Sequence, residues 1–270
     1  MRVLGEHQDP VLGVSCCGDH VVSASFDHVI IWKGAQRVGA FGVPSRVVCW
    51  MGAMSKDGVV AAGFGDCTVQ LWDGKQQQQL AHLGGIVASL AWSADGKKLL
   101  TGNCGEKTIR VWEDGKEIWQ GTTKKSGTWF VALSADGQLA LSGASDKLVH
   151  VWDIGKGELP PLAGHTGKIL GLSIVGDRAA SASQDRTART WNLAKMAPLA
   201  TLIGHKKQVS AVALSPTGDQ VATVSSDRTL RIWDTNTGSE LRCEKLEDLP
   251  ASVAWGKEIV VAAGKRILAF

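Results

Sequence analysis

Six tryptophans, Trp32, Trp72, Trp112, Trp152, Trp191 and Trp233, follow one another at intervals of 40, 40, 40, 39 and 42 residues. A fixed period of that size marks a repeated supersecondary unit that cannot bury its apolar face alone and must stack on its neighbours. Each of these tryptophans closes a short run, HVIIW, TVQLW, TIRVW, LVHVW, TARTW or TLRIW, and these read as strands because β-branched residues dominate most of them. A second run precedes each, as in VVSAS from Val21, LLTGN from Leu99, LALSG from Leu139 and VATVS from Val221. Upstream again lies a third, such as VASLAWS from Val87 or VSAVALS from Val209. The turns SADG at Ser93, SADG at Ser134 and SPTG at Ser215 separate these two runs, with Asp or Pro beside Gly setting a tight hairpin. After the Trp, a segment such as AQRVGAF or KEIWQG supplies a fourth strand, and four strands per unit make a propeller blade.

Residues 244–270 follow the last of these tryptophans and contain LPASVAW, EIVVAAG and KRILAF, three strands with Phe270 where a closing Trp would stand. Residues 2–5 form a strand that belongs to no unit of its own. The expectation is a seventh blade made of three C-terminal strands and this N-terminal one. Pairing the chain ends in this way closes the ring and leaves only short edges.

Residues 204–234, GHKKQVSAVALSPTGDQVATVSSDRTLRIWD, show the whole plan: Gly-His, two runs split by a turn, Ser-Asp-Arg-Thr, an alternating run and Trp-Asp. Variants of it recur along the sequence, which resembles the WD-repeat β-propeller family from end to end. The resemblance implies an all-β, seven-bladed WD-repeat β-propeller of four-stranded antiparallel blades, one domain over residues 1–270. It also implies a hydrogen-bonded chain of His, Ser or Thr, Asp and Trp in each complete blade. Carried over, the members are His205, Thr223, Asp227 and Trp233; His165, Ser181, Asp185 and Trp191; and His7, Ser23, Asp27 and Trp32. Other units depart from the pattern. Ala62 replaces the hydroxyl of the second, Glu106 stands for Asp in the third with His82 out of register, and Lys124 falls at the His place of the fourth.

Such His, Ser and Asp sets could pass for hydrolase triads, but they recur at a structural spacing, whereas a triad needs one nucleophile at one cleft. His150 occupies a strand slot filled elsewhere by Arg110 and Arg231, and reads as a half-exposed strand residue. The expectation is no catalytic, cofactor-binding or metal site. Trp50, Trp92 and Trp255 read as core aromatics. The six cysteines show no Cys-x-x-Cys pair or metal spacing, and no signal-peptide h-region or membrane-length apolar run is present. Together these point to an intracellular, cytoplasmic protein, with the nucleus left open. A net charge of +3 is too small to imply nucleic-acid binding by itself.

By resemblance, the loops before the first strand and between the second and third strands share the narrower face, which the family uses most for binding peptides. In the fourth to sixth units those loops carry Lys124, Lys125, Lys147, Lys168, Arg186, Lys206, Lys207 and Arg228, a basic sector. Phe26 and Phe64 in the first two units suggest an apolar sector opposite, and Trp129 falls where it can reach the channel mouth. The reading that follows is a non-catalytic protein-interaction platform, monomeric in isolation, that binds a peptide or acidic protein partner and no membrane. The alternatives are RNA binding through the basic sector and recognition of a ubiquitin-type modifier.

Overall fold

The computed structural model describes residues 1–26, 28–42, 48–123 and 128–270. Its regular structure comprises 28 strands among the described residues, and their pairing gives seven four-stranded antiparallel sheets. Six sheets use consecutive strands, as in the sixth blade: Val209–Leu214, Gln220–Ser225, Thr229–Asp234 and Glu240–Lys245. The innermost strands pack side by side around the axis, and Pro250–Trp255 of the seventh blade returns to Val11–Cys17 of the first. The result is a seven-bladed β-propeller.

The seventh blade combines Pro250–Trp255, Ile259–Ala263 and Arg266–Ala269 with the N-terminal strand Arg2–Glu6. Arg2 pairs with Ala269, Val3 with Leu268, Gly5 with Ile267 and Glu6 with Arg266. The chain ends thus close the ring as their composition suggested, with a strand one residue longer than the sequence pattern indicated.

Sandwiching each blade between two others dictates where apolar residues fall. Second strands are enclosed on both faces, so Gln220–Ser225 is buried at all but its first residue. Outer strands meet water, and Glu240–Lys245 is mostly exposed. The core is therefore distributed. Seven apolar clusters lie between neighbouring blades, as counted among the described residues. The Trp that closes a blade packs into the cluster shared with the preceding blade: Trp233 with Leu202 and Val209, Trp152 with Ile109 and Val131. Phe270 packs at the edge of the corresponding cluster between the sixth and seventh blades.

The N-terminal strand joins this scheme directly. Leu4 is buried in the cluster that contains Trp32, and a Cβ on Gly5 would collide with the Trp32 ring. Deleting residues 1–6 removes a strand ladder and the burial of Leu4, a loss of about 2 kcal/mol or more. The expected outcome is a melting temperature lower by at least about 5 °C, with aggregation seen by light scattering. Gly5→Val should shift it in the same direction, and an unchanged melt for the deletion would remove the latch.

Candidate partner-binding face

Three blades carry a relay of hydrogen bonds whose direction follows from chemistry, because an indole N–H can only donate and a carboxylate can only accept. In the sixth blade Trp233 donates to Thr223 at 2.8 Å, Thr223 Oγ1 lies 2.8 Å from His205 Nε2, and His205 Nδ1 lies 3.0 Å from Asp227. In the fifth, Trp191 donates to Ser181 at 2.9 Å, and His165 stands 2.8 Å from both Ser181 and Asp185. In the first, Ser23 lies 2.8 Å from His7 and accepts from Trp32 at 2.8 Å; Asp27 lies outside the described residues. With the imidazole neutral, Nδ1–H donates to Asp and Nε2 accepts the hydroxyl proton, which leaves every member satisfied.

Burial pushes the His165 and His205 pKa values down, against the raising influence of Asp185 and Asp227. Burial alone would raise the Asp227 pKa, but the Thr229 hydroxyl, the Lys206 amide and the His205 ring hold it down at about 2. Asp185 is likewise held well below the ordinary carboxylate range by Thr187, the Thr166 amide and His165.

The remaining blades rebuild this brace differently. Glu106 is one methylene longer than Asp and reaches Gly84, where a His would stand, while bonding Asn103 at 3.3 Å and Arg110 at 2.5 Å. In the fourth blade His150 is buried, contrary to the half-exposed strand position read from the sequence. Its Nε2 lies 2.8 Å from Asp146, its Nδ1 3.1 Å from Glu158, and its ring stacks on Trp152. It brings an imidazole from the third strand to an Asp that lacks one from the preceding loop. In the second blade Asp66 accepts from the Thr68 amide and hydroxyl at 3.0 and 2.7 Å, its bonds among the described residues, and Trp72 is half-buried.

The face above these braces has an apolar mouth. Every innermost strand bulges between its first and third residues, as at Val11/Gly13, Cys49/Met51 and Thr128/Phe130. A bulge re-aims the extra residue out of the ladder. Four of these residues are large, Leu12, Trp50, Trp129 and Leu170, and with three small ones they ring a cavity of about 310 Å³. Trp129 is 40% exposed there. Trp50 is half-buried in the same ring rather than in the core as its sequence context suggested, because its position is the bulge and not the apolar site beside it. Its Nε1 is buried without a hydrogen-bond partner among the described residues.

Around the mouth, the residue after the turn acid adopts a left-handed backbone in five blades: Cys67, Lys107, Lys147, Arg186 and Arg228, with φ between 60° and 72°. Four of the five are basic and exposed, and Lys107, overlooked in the sequence reading, extends the sector into the third blade. Lys168, Lys206 and Lys207 are also exposed. None of these seven basic side chains forms an ion pair among the described residues. Asp227 accepts from the Lys206 amide at 2.8 Å, so the brace also fixes the loop that displays these lysines. Lys124 and Lys125 lie outside the described residues.

The apolar sector is smaller than expected. Phe26 is 46% exposed, but Phe64 is 0% exposed and packs with Phe41 and Cys49 between the first two blades. It ends a second strand, and that strand is enclosed on both sides. The apolar component of the face is instead central, at the mouth. Glu247 and Asp248, both paired with Arg266, stand beside Arg228 at the end of the basic sector, where the seventh blade follows the sixth.

Burial pushes the Cys16 thiol up to about 12 and raises Cys49 as well, which suppresses the thiolate. Among the described residues, no three His, Cys, Asp or Glu side chains gather as a metal site would. The family model for the WD domain, G-beta repeat, matches residues 74–113, 116–153, 158–192 and 196–234, more than half of the chain. The chain belongs to the WD-repeat family.

Propellers of this family act in general as protein-interaction scaffolds. The chain is 29% identical over 211 residues to autophagy-related protein 16 of Arabidopsis thaliana, covering 70% of this chain and 40% of that protein. It is 31% identical to nuclear distribution protein PAC1 of Arthroderma otae, covering 54% of this chain and 36% of that protein. It is 30% identical to the F-box-like/WD repeat-containing protein TBL1X of Mus musculus, covering 57% and 33% respectively. The chain thus spans less than half the length of these relatives.

Asp227→Ala strands His205, Thr229 and the Lys206 amide, and should cost about 1–3 kcal/mol in denaturant unfolding. Asp66→Ala, in a blade where Ala62 replaces the relay hydroxyl, should cost less, and equal losses would contradict this ranking. The lowered His values mean that stability from His165 and His205 is complete above their ordinary 6.5 and drains as pH falls through the lower folded values. Stability from Asp227 is complete above the ordinary 3.8 and is lost as pH falls towards about 2. Melting temperature should therefore decline in two stages below neutral pH, and Asp227→Asn should shrink the lower one.

Proposed function

We propose that the chain is a non-catalytic interaction platform whose mouth face holds an acidic, extended segment of a protein partner. The observation that carries this reading is the run of basic residues, Lys107, Lys147, Arg186 and Arg228, in strained left-handed backbone on four successive blades. A non-glycine residue in that region costs about 1 kcal/mol or more, and Gly would occupy it more easily. Retaining long cations there, exposed and unpaired among the described residues, favours a role in recognition. The mouth beside them offers an aliphatic anchor of the segment a place between Trp50 and Trp129. Aromatic anchors surrounded by charge suit protein recognition, with charge setting orientation and on-rate.

Arg186→Gly with Arg228→Gly relieves backbone strain, so the melting temperature should hold or rise while affinity capture of the partner falls at least fivefold. Charge reversal at Lys206 and Lys207 should weaken capture similarly without altering the melt. Retained capture in both variants refutes the basic sector as the contact. Capture of RNA whose affinity falls steeply with salt, as phosphate neutralisation requires, would replace the protein ligand with a nucleic acid.

A further inference from the structure

The outer strands of the seven blades are the exposed edges of this ring, and six of them are guarded. Gln36–Gly42 carries Arg37, Lys116–Thr122 carries Lys116 and Glu117, and Gly157–Leu162 carries Pro160 and Pro161. Ala197–Ile203 has Pro198, Glu240–Lys245 has Arg242 and Glu244, and Arg2–Glu6 has charge at both ends. Charged residues and proline are the usual means of keeping another strand off a sheet edge. The second blade's outer strand, Gln77–His82, has the sequence QQQLAH, without Lys, Arg, Asp, Glu or Pro.

Its backbone is also more regular at that point. In the first, third, fifth and sixth blades the outer ladder bulges immediately before the closing Trp, as at Ile31/Trp32 and Ile232/Trp233. In the second blade the bulge lies nearer the mouth face, between Val69 and Gln70. Gln77, Gln78 and Gln79 therefore pair in unbroken register with Trp72, Leu71 and Gln70. This strand ends its sheet, so one side of that regular stretch has no strand partner among the described residues.

A groove of about 730 Å³ opens beside the same strand, between the second and third blades. Comparison with the other blades explains it. After their closing Trp-Asp or Trp-Asn pair, the fourth, fifth and sixth blades place Ile154, Leu193 and Thr235, whose amides bond Gln138, Asp177 and Asp219. Leu193 and Ile154 pack into the clusters shared with the preceding blade, and the Thr235 carbonyl accepts from Thr190 across the gap. The third blade turns instead through a two-residue hairpin, Asp114-Gly115, with both residues at positive φ. Asp114 is exposed, and the filler is missing. The opening is floored by Trp92, Trp112 and Leu80 and edged by Asp57, Asp73 and Asp114. Those three carboxylates are exposed and without ion pairs among the described residues, with Lys97 the lysine in the lining.

We infer that an extended, lysine- or arginine-bearing segment of a protein partner adds to the second blade as a fifth strand along Gln77–Gln79. Its main chain would satisfy the open edge, as in β-strand addition, and alternate side chains would enter the groove. The aliphatic stem of a basic residue would lie on Trp92 and Leu80, with its charged head among Asp57, Asp73 and Asp114. This surface is separate from the mouth face, so its occupant has the opposite charge preference.

A phage-displayed library of random nine-residue peptides, selected on the whole chain, tests the inference. Gln78→Lys restores the guard found on other outer strands, and Asp73→Asn with Asp114→Asn removes the groove's charge. Selected peptides should alternate β-branched residues with Lys or Arg and lose at least tenfold in affinity on either variant, with melting temperatures unchanged. Peptides with that pattern that bind both variants as tightly as the native chain overturn it. So does recovery of acidic peptides alone, or of none. A native chain that sediments as a dimer, and as a monomer when Gln78→Lys is present, also overturns it by showing that the edge is met by a second copy. Charge reversal at Lys206 and Lys207 should leave these peptides bound, which separates this surface from the proposed partner face.

Discussion

The indole N–H of a blade-closing tryptophan, buried between two sheets, needs an acceptor, and the ring depends on that constraint. The second-strand hydroxyl provides it at 2.8 to 3.0 Å in the first, third, fourth, fifth and sixth blades. The bond fixes the indole orientation, and the oriented ring then fills the cluster shared with the preceding blade. Local hydrogen bonding is thereby converted into inter-blade packing. An unpaired donor in such a place would cost about 1–3 kcal/mol, comparable to the burial of a whole side chain. The His and Asp that follow complete the relay and carry its influence to the turn above.

Variation among the blades shows what the relay requires. Position matters less than reach: Glu106 crosses to Gly84 with one extra methylene, and His150 enters from a different strand yet still meets an Asp. The slot that His150 uses has its own logic. Arg110 pairs with Glu117, Arg231 with Glu240 and His150 with Glu158, a cation on the third strand facing a carboxylate near the start of the fourth. In the fifth blade Pro198 pairs with Trp191 where that carboxylate would be, and Arg189 Nε is buried without a partner among the described residues. The second blade, with Ala62 in place of the hydroxyl, lacks the relay. It is also where the closing Trp is half-buried, the outer bulge is displaced and the neighbouring groove is open.

The architecture was legible because it rests on period and polarity, which are one-dimensional. Trp spacing set the number of closed units, and the unpaired first strand with Phe270 completed the seventh. The face was less legible, since whether a side chain points outward depends on single-residue shifts in register. Phe64 and Phe26 both flank the same type of turn, yet one ends an enclosed strand and the other lies beyond it. Trp50 takes the bulge position that Ala88 holds in the third blade, whereas Trp92 ends its strand within the ladder, a difference that alternation cannot reveal. Lys107 was hidden by the extra residue near Cys104, which displaced the third blade from the pattern of its neighbours. Charge at left-handed positions became visible only when backbone angles placed four blades in common register.

Those left-handed positions separate two demands on one turn. The acid before them must hold amides and, in the complete blades, an imidazole, so its identity is tied to stability. The next residue must only tolerate a positive φ, a condition that Gly meets at least cost and that Asn and Asp meet better than other residues. Neither stability nor ease of turning accounts for Lys107, Lys147, Arg186 and Arg228 there. Since the brace already fixes the turn, a side chain placed on it is held in a defined direction without contributing to that fixation. A rigid platform that displays otherwise unpaired charge loses little backbone entropy when a partner arrives, and this preorganisation is what favours recognition over mere solvation.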